Sequence, residues 1–398
     1  MRGGVLPRPV LRFRGGTAVS PREGLGLFGP LKGPGRIALA YTGEEGLSGK
    51  TGRLVESLLS RVKWYRPMGE LLDVDVEAYE VSGGGGLEER LREAASTSPD
   101  VVLVGVRDDV PEERDMYVPA KQVLASLGVA SQMVAARTLD RLYRNPYVLL
   151  NLAVNLYGKA GGIAWGIADD MDRDFYLGLD VGGGVMAAVL LVDPGDPVVE
   201  WTVFPVLDVE YSGSVGEALE WAAARAAEIT GRRPGSLAVL RDGRMHWGEV
   251  EAIRSMLSTL AARGVVEDRS SYVVVEVRKR VTPLLVRRSR SRFTNPEKGA
   301  YIALGEEEYI VATTGWPERR VALGTVRPIA VARVDTDNWE RDFLRDVREV
   351  YWLSALHWGS MFTSPRTPIV TLYAHRIASF FRLGVYPEPG SMGGLWFL

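Results

Sequence analysis

Two β-forming runs that each end in a carboxylate constrain this chain more than any other feature: Tyr176-Leu-Gly-Leu-Asp-Val-Gly-Gly-Gly184 and Leu237-Ala-Val-Leu-Arg-Asp-Gly-Arg244. A carboxylate at the end of a buried strand is held rigidly and faces an open sheet edge. Two of them on neighbouring strands make a site for hard divalent cations. After Asp180 come two further strand-like runs, Val185–Val192 and Val198–Pro205, then an alanine-rich amphipathic stretch over 216–230. The strand ending at Asp242 follows. A helix over Gly248–Arg263 and a β-branched strand at Tyr272–Val277 complete the series.

Three consecutive strands and then helix, strand, helix, strand is the ribonuclease-H-like order, with the first and fourth strands side by side. It would bring Asp180 and Asp242 together as a nuclease centre. The first half of the chain has another rhythm. Residues 1–35 are dense in Gly, Pro and Arg and are expected to be a lead-in segment, with one extended piece at Pro9–Arg14. From residue 36, strands (Ile37–Tyr41, Val74–Val81, Val101–Val106) alternate with helices (Thr51–Val62, Leu87–Ala95). That alternation implies an α/β, doubly wound parallel sheet, whose ligands bind at the carboxyl ends of its strands. The acidic stretch Ala168–Asp174 separates a first domain, 36–170, from a second, 171–398.

Composition removes several classes of function. With no cysteine there are no disulfides, no thiolate catalysis and no cysteine-held zinc. Three histidines, His246, His357 and His375, leave little for a histidine-rich metal site. No apolar run approaches a membrane span and no signal-peptide pattern opens the chain, so a cytoplasmic location is expected. The net charge of −2 counts against a bulk-basic nucleic-acid binder. The charge is uneven, however. Arg278-Lys279-Arg280 and the run Arg287, Arg288, Arg290, Arg292 concentrate positive charge, which either tracks phosphates or forms a solvated flexible loop.

In the first domain, Met116-Tyr-Val-Pro-Ala-Lys-Gln-Val-Leu124 puts Tyr117 and Lys121 one turn apart near a helix start, with Pro119 suited to the first turn. A helix N-terminus favours phosphate. Lys159, near the end of the helical run Tyr147–Gly158, could close such a pocket. Tyr–Lys pairs at helical spacing are also common without any ligand.

On these residues the whole chain resembles the Argonaute/Piwi family in its short prokaryotic form, a Rossmann-like MID domain followed by a ribonuclease-H-like PIWI domain. Tyr117, Lys121, Gln132 and Lys159 match in order the family's Tyr-Lys-Gln-Lys signature. The resemblance implies that they hold the 5′-phosphate of a guide strand, with the tyrosine on the first base. It also implies that the carboxylate of Leu398, in the apolar tail Gly394-Leu-Trp-Phe-Leu398, turns back to that pocket and shares a divalent cation with Gln132. In the second domain, Leu179-Asp180-Val-Gly, Leu240-Arg241-Asp242-Gly243, Val277-Arg-Lys-Arg280, Gly324-Thr-Val-Arg-Pro328 and Leu372-Tyr-Ala-His-Arg376 occur in family order. Asp180, Asp242 and His375 then fit three positions of a catalytic tetrad holding Mg²⁺ or Mn²⁺. Glu210, 32 residues before Asp242, is the choice for the mobile glutamate; Glu217 is the alternative, readable instead as a first-turn helix carboxylate. Arg278, Lys279 and Arg280 would meet the nucleic-acid backbone.

The resemblance implies guide and target nucleic acid as partners, DNA or RNA, with a separate polypeptide supplying the guide-end or effector functions that short members lack. The favoured function is guide-directed cleavage of a complementary target by two-metal hydrolysis. The alternative is a catalytically inactive guide-binding sensor. A sugar-kinase or actin-like ATPase shares the Asp-x-Gly-Gly turn, but that turn is not repeated in the sequence.

Overall fold

The computed structural model describes residues 2–111, 114–206, 211–281, 284–289, 292–316, 324–387, 390 and 394–398. The chain forms two compact units. One consists of Leu11–Trp165, Trp358–Met361 and Leu383–Leu398, the other of Met1–Val10, Gly166–His357 and Phe362–Arg382.

The first unit is built on β1 (Arg36–Gly43), α1 (Ser48–Leu58), β2 (Asp75–Glu80), α2 (Leu87–Ser96), β3 (Val101–Val106), α3 (Tyr117–Ser126), β4 (Ala130–Ala135) and α4 (Pro146–Lys159). The four strands are parallel in the order β2-β1-β3-β4. All six residues of β3 are buried, as a strand covered by helices on both faces must be. Helix α3 begins beyond the carboxyl end of β3, the edge where sheets of this type take ligands. Pro146 opens α4 at a position where its missing N–H costs nothing, and the Asn145 side chain accepts from the Tyr147 N–H at 2.9 Å.

The second unit carries β5 (Phe175–Gly182), β6 (Val185–Val192), β7 (Val198–Pro205), α5 (Ser212–Thr230), β8 (Ser236–Asp242), α6 (Trp247–Ala262) and β9 (Ser271–Arg278). It continues with β10 (Ala300–Ala303), β11 (Glu308–Val311), β12 (Ile329–Thr336), α7 (Phe343–Leu353) and α8 (Ile369–Arg382). One mixed sheet runs in the order β10-β11-β12-β9-β8-β5-β6-β7, with the short strand Gly3–Val5 beside β10. The first three strands are antiparallel, and β8 is parallel to both β5 and β9. This is the arrangement expected from the element order, with the fourth strand against the first. Strands β10 to β12 extend it.

Strand alternation sorts the faces. Phe175, Leu177, Leu179, Leu237 and Val239 pack with Val215, Ala218, Leu219, Ala222, Ile253 and Leu257 of α5 and α6 in a buried core. The even-numbered residues of β5 face α8. At Gly178 the approach is so close that a β-carbon would sit 2.3 Å from the Val370 carbonyl carbon, so no larger residue fits without moving the helix. Asp180 and Asp242 lie on this same α8 face of the sheet.

Candidate functional site

The carboxylate centre follows from that register. Arg241 is paired with Leu179 across β8 and β5, so the next residues along, Asp242 and Asp180, stand level at the strand ends. From α8, His375 Nδ1 lies 2.7 Å from Asp180 Oδ2 and 3.6 Å from Asp242 Oδ2. Among the described residues, Asp180, Asp242 and His375 form a group whose ligand atoms lie within 4.8 Å of one another. The side chains of Asp242 and Asp180 are 4% and 13% exposed, while His375 is 43% exposed, so the cluster opens to solvent on the histidine side. Two carboxylates with one imidazole form a hard, mainly oxygen donor set suited to Mg²⁺ or Mn²⁺.

Burial pushes the Asp242 carboxyl above its ordinary range; the Lys279 hydrogen bond opposes the shift and the Asp180 charge adds to it. Lys279 Nζ sits 2.6 Å from Asp242 Oδ2, the oxygen nearest His375. Of the three basic residues read as backbone contacts, Lys279 thus turns to a carboxylate of the centre. Arg278 pairs with Glu308 at 2.7 Å and with Glu276 at 3.4 Å. Arg280 is exposed.

Behind the centre lies a buried network that sequence reading missed. Alternation turns Arg241 to the α6 face, where its Nε meets Glu249 Oε1 at 3.1 Å. Its Nη1 reaches the Asp242 carbonyl at 2.8 Å and, round the strand end, Asp180 Oδ1 at 3.4 Å. Glu249 is fully buried, and its other oxygen accepts the His246 N–H at 2.7 Å. The signal was present: Glu249 is the third residue of α6, where a carboxylate reaches back to cap the helix start.

The mobile-glutamate choice, Glu210, lies outside the described residues. The alternative, Glu217, is the sixth residue of α5 and exposed, not in the first turn, because the helix begins at Ser212 and not near 216. It is not part of the cation-competent group.

In the other unit, Tyr117 opens α3, half-exposed, with the buried Lys121 ammonium 5.6 Å from its ring centre. Lys121 Nζ also lies 3.4 Å from Ser131 Oγ on β4, next to Gln132. Gln132 donates to the Met133 carbonyl at 3.1 Å, and its Oε1 is buried with no hydrogen-bond partner among the described residues. Lys159, 1% exposed at the end of α4, donates to the main-chain oxygens of Trp396 at 2.8 Å and Leu398 at 2.6 Å. The tail therefore does return to this unit and meets one of the expected lysines. A bare buried carbonyl oxygen is an unmet acceptor, which a cation can satisfy.

No protein-family model and no curated protein matches the sequence. Solved structures do match. The Argonaute of Clostridium butyricum, solved with a guide DNA bearing 5′ deoxycytidine and a 19-mer target DNA, superposes with a TM-score of 0.75 at 21% identity. The match covers 96% of this chain and 54% of that one. Aa-Ago, crystallised with externally bound siRNA, matches with a TM-score of 0.71 at 19% identity, over 99% of this chain and 56% of that one. The chain spans about half the length of these structures and has the Argonaute fold over that half, with a parallel-sheet unit followed by a ribonuclease-H-like one. Among the described residues, no helix is long and apolar enough to cross a membrane.

Proposed function

We propose that this chain is an Argonaute/Piwi-type protein with a MID unit and a PIWI unit, which anchors a 5′-phosphorylated guide and cleaves a complementary nucleic-acid target. The observation that carries the reading is the level pairing of Asp180 and Asp242 on neighbouring parallel strands with His375 beside them. Asp180, Asp242 and His375 would hold Mg²⁺ or Mn²⁺, which supplies Lewis-acid stabilisation of the charge that develops on the phosphate oxygens. Glu210 is kept as the proposed fourth member. Arg241 fixes Asp180 from behind through its hydrogen bond, and Lys279 lies at the rim, where it can exchange Asp242 for a backbone phosphate.

At the guide end, Tyr117 offers a ring for the first base, and Lys121 and Lys159 supply charge for its phosphate. Gln132 and the Leu398 main-chain oxygen are acceptors for a second cation. Guide and target pairing sets the sequence; the protein reads backbone and helix shape.

The test is a cleavage assay with a 5′-phosphorylated guide, a complementary target and Mn²⁺. A single cut at a fixed distance from the guide 5′ end, lost in Asp180→Ala with target binding retained, is the expected result. One observation favours a second reading, the non-cleaving sensor: the Lys279 ammonium already neutralises Asp242, where a cation would otherwise be needed. Guide-dependent target binding without any cutting would select it.

A further inference from the structure

Lys279 is the first residue after β9, and its main chain is held from behind. The Arg366 guanidinium donates through Nη2 to the Lys279 carbonyl and to the Pro328 carbonyl, the latter at 2.7 Å. Pro328 directly precedes β12, and Arg366 lies three residues before α8, the helix that carries His375. The Arg366 carbonyl in turn accepts from the hydroxyl of Thr313, fully buried just past β11, at 2.6 Å. One arginine thus ties together the exits of β9 and β11, the entry to β12 and the approach to α8.

From that fixed point the Lys279 stem reaches Asp242, with Nζ 2.6 Å from Oδ2. The carboxylate side chain is 4% exposed and the lysine side chain 34%, so the ammonium is the member of the pair that meets solvent. The same Oδ2 lies 3.6 Å from His375 Nδ1, which makes it the Asp242 oxygen that a cation shared with His375 would take. A divalent ion on that oxygen, at about 2.0–2.6 Å, would stand within roughly 5 Å of the ammonium. Like charges at that range repel, so ion and ammonium compete for one oxygen. The neighbouring arginines are committed elsewhere: Arg278 to Glu276 and Glu308, and Arg241 to Glu249 and Asp180.

We infer that Arg366 is the positioning residue of a latch. It anchors Lys279 so that the ammonium occupies the Asp242 side of the cation site until a phosphate anion draws it off. Lysine suits the part, because a compact charge on a flexible stem swings while its main chain stays in place. Ion and phosphate then bind cooperatively, since each favours the state in which Lys279 has left Asp242. The inference rests on the reading above for the source of the anion, a nucleic-acid backbone; the clasp and the competition rest on the contacts alone.

The test uses the intact protein, freed of nucleic acid, and reads bound Mn²⁺ from the loss of the free ion's electron paramagnetic resonance signal, with no cleavage measured. Arg366→Lys keeps the charge, but its shorter stem loses the bridge between the two carbonyls. It should bind Mn²⁺ about 5-fold more tightly than wild type, and Lys279→Met about 5- to 150-fold more tightly. An arginine that merely held loops together would give the opposite sign, because a disordered centre loses ligands. A 5′-hydroxyl oligonucleotide of mixed sequence, its own Mn²⁺ uptake subtracted, should tighten wild-type Mn²⁺ binding and leave Lys279→Met unchanged. Weaker or unchanged Mn²⁺ binding in Arg366→Lys, or equal tightening by the oligonucleotide in wild type and Lys279→Met, overturns the latch. So does an oligonucleotide that binds wild type in EDTA, seen by fluorescence anisotropy, without altering its Mn²⁺ affinity. Failure of the oligonucleotide to bind at all refutes the functional reading, and the two metal-only comparisons then decide the latch. Intact coupling in a protein that cuts no target refutes the cleavage reading and leaves the latch standing.

Discussion

Arg241→Met should destabilise the ribonuclease-H-like unit by about 3–5 kcal/mol, the cost of breaking a buried ion pair by removing one partner. The structure says where that cost arises. The Arg241 side chain is 8% exposed and Glu249 is 0% exposed. Methionine fills much of the volume but leaves Glu249 a buried carboxylate whose remaining bond, among the described residues, is the one from the His246 N–H. It also strips a donor from the Asp242 carbonyl and one from Asp180. Most of the loss is therefore the uncompensated charge, and Glu249→Gln on the same background should restore about half, since the amide can still accept from His246. Urea unfolding of the intact protein should show a lower midpoint at unchanged slope. The melting temperature should fall roughly 6–20 °C, at about 2–4 °C per kcal/mol for a unit of this size. A single variant within about 1 kcal/mol of wild type, or a double variant no more stable than the single, would refute the argument.

Three other outcomes follow from the geometry. Burial, with help from Arg376, lowers the His357 imidazole to about 3. Stability from its neutral form is thus complete above pH 6.5 and lost as pH falls toward 3, by roughly 2 kcal/mol at pH 5; His357→Gln should flatten that limb in unfolding curves, and an unchanged limb assigns the loss elsewhere. Mn²⁺ should raise the wild-type melting temperature, by the equivalent of about 2.7 kcal/mol at a hundred times its dissociation constant. Lys279→Met should enlarge the gain at limiting Mn²⁺ and Asp242→Ala should abolish it, whereas equal gains in wild type and Asp242→Ala put the cation elsewhere. Lys121→Ala should erase most of the preference for a 5′-phosphorylated over a 5′-hydroxyl guide, and a wild type that binds both ends equally removes the pocket assignment.

The meeting of Asp180 and Asp242 was legible because strand order and strand ends are written in local pattern: β-branched runs, glycine turns, and a period of two. His375 was reached only through its Tyr-Ala-His context, since a helix more than a hundred residues downstream leaves no local trace of which strand it will cover. Lys279 was legible as a cation but not as a partner of Asp242. A four-carbon stem reaches whatever charge the tertiary fold puts nearby, and sequence records the charge alone. Arg241 and Glu249 escaped for a related reason. Eight residues apart, on a strand and a helix, they meet only because the β8–α6 turn folds one over the other. The arginine run was readable as charge, but not as the two short strands, Arg287–Ser289 and Arg292–Thr294, that pair within it.

The glycine beneath α8 has a wider consequence. Gly178 carries no chemistry, yet the stand-off between Val370 and β5 sets how far His375 hangs above Asp180, one turn along the helix and two residues along the strand. An alanine at 178 would act as a shim. The helix would rise or tilt, the 2.7 Å contact would open, and a hydrophobic core that still held together would deliver a centre out of alignment. Random mutagenesis scored by activity should therefore recover this silent position as readily as the carboxylates themselves, and any graft of the centre onto another scaffold must carry the seam along with the ligands.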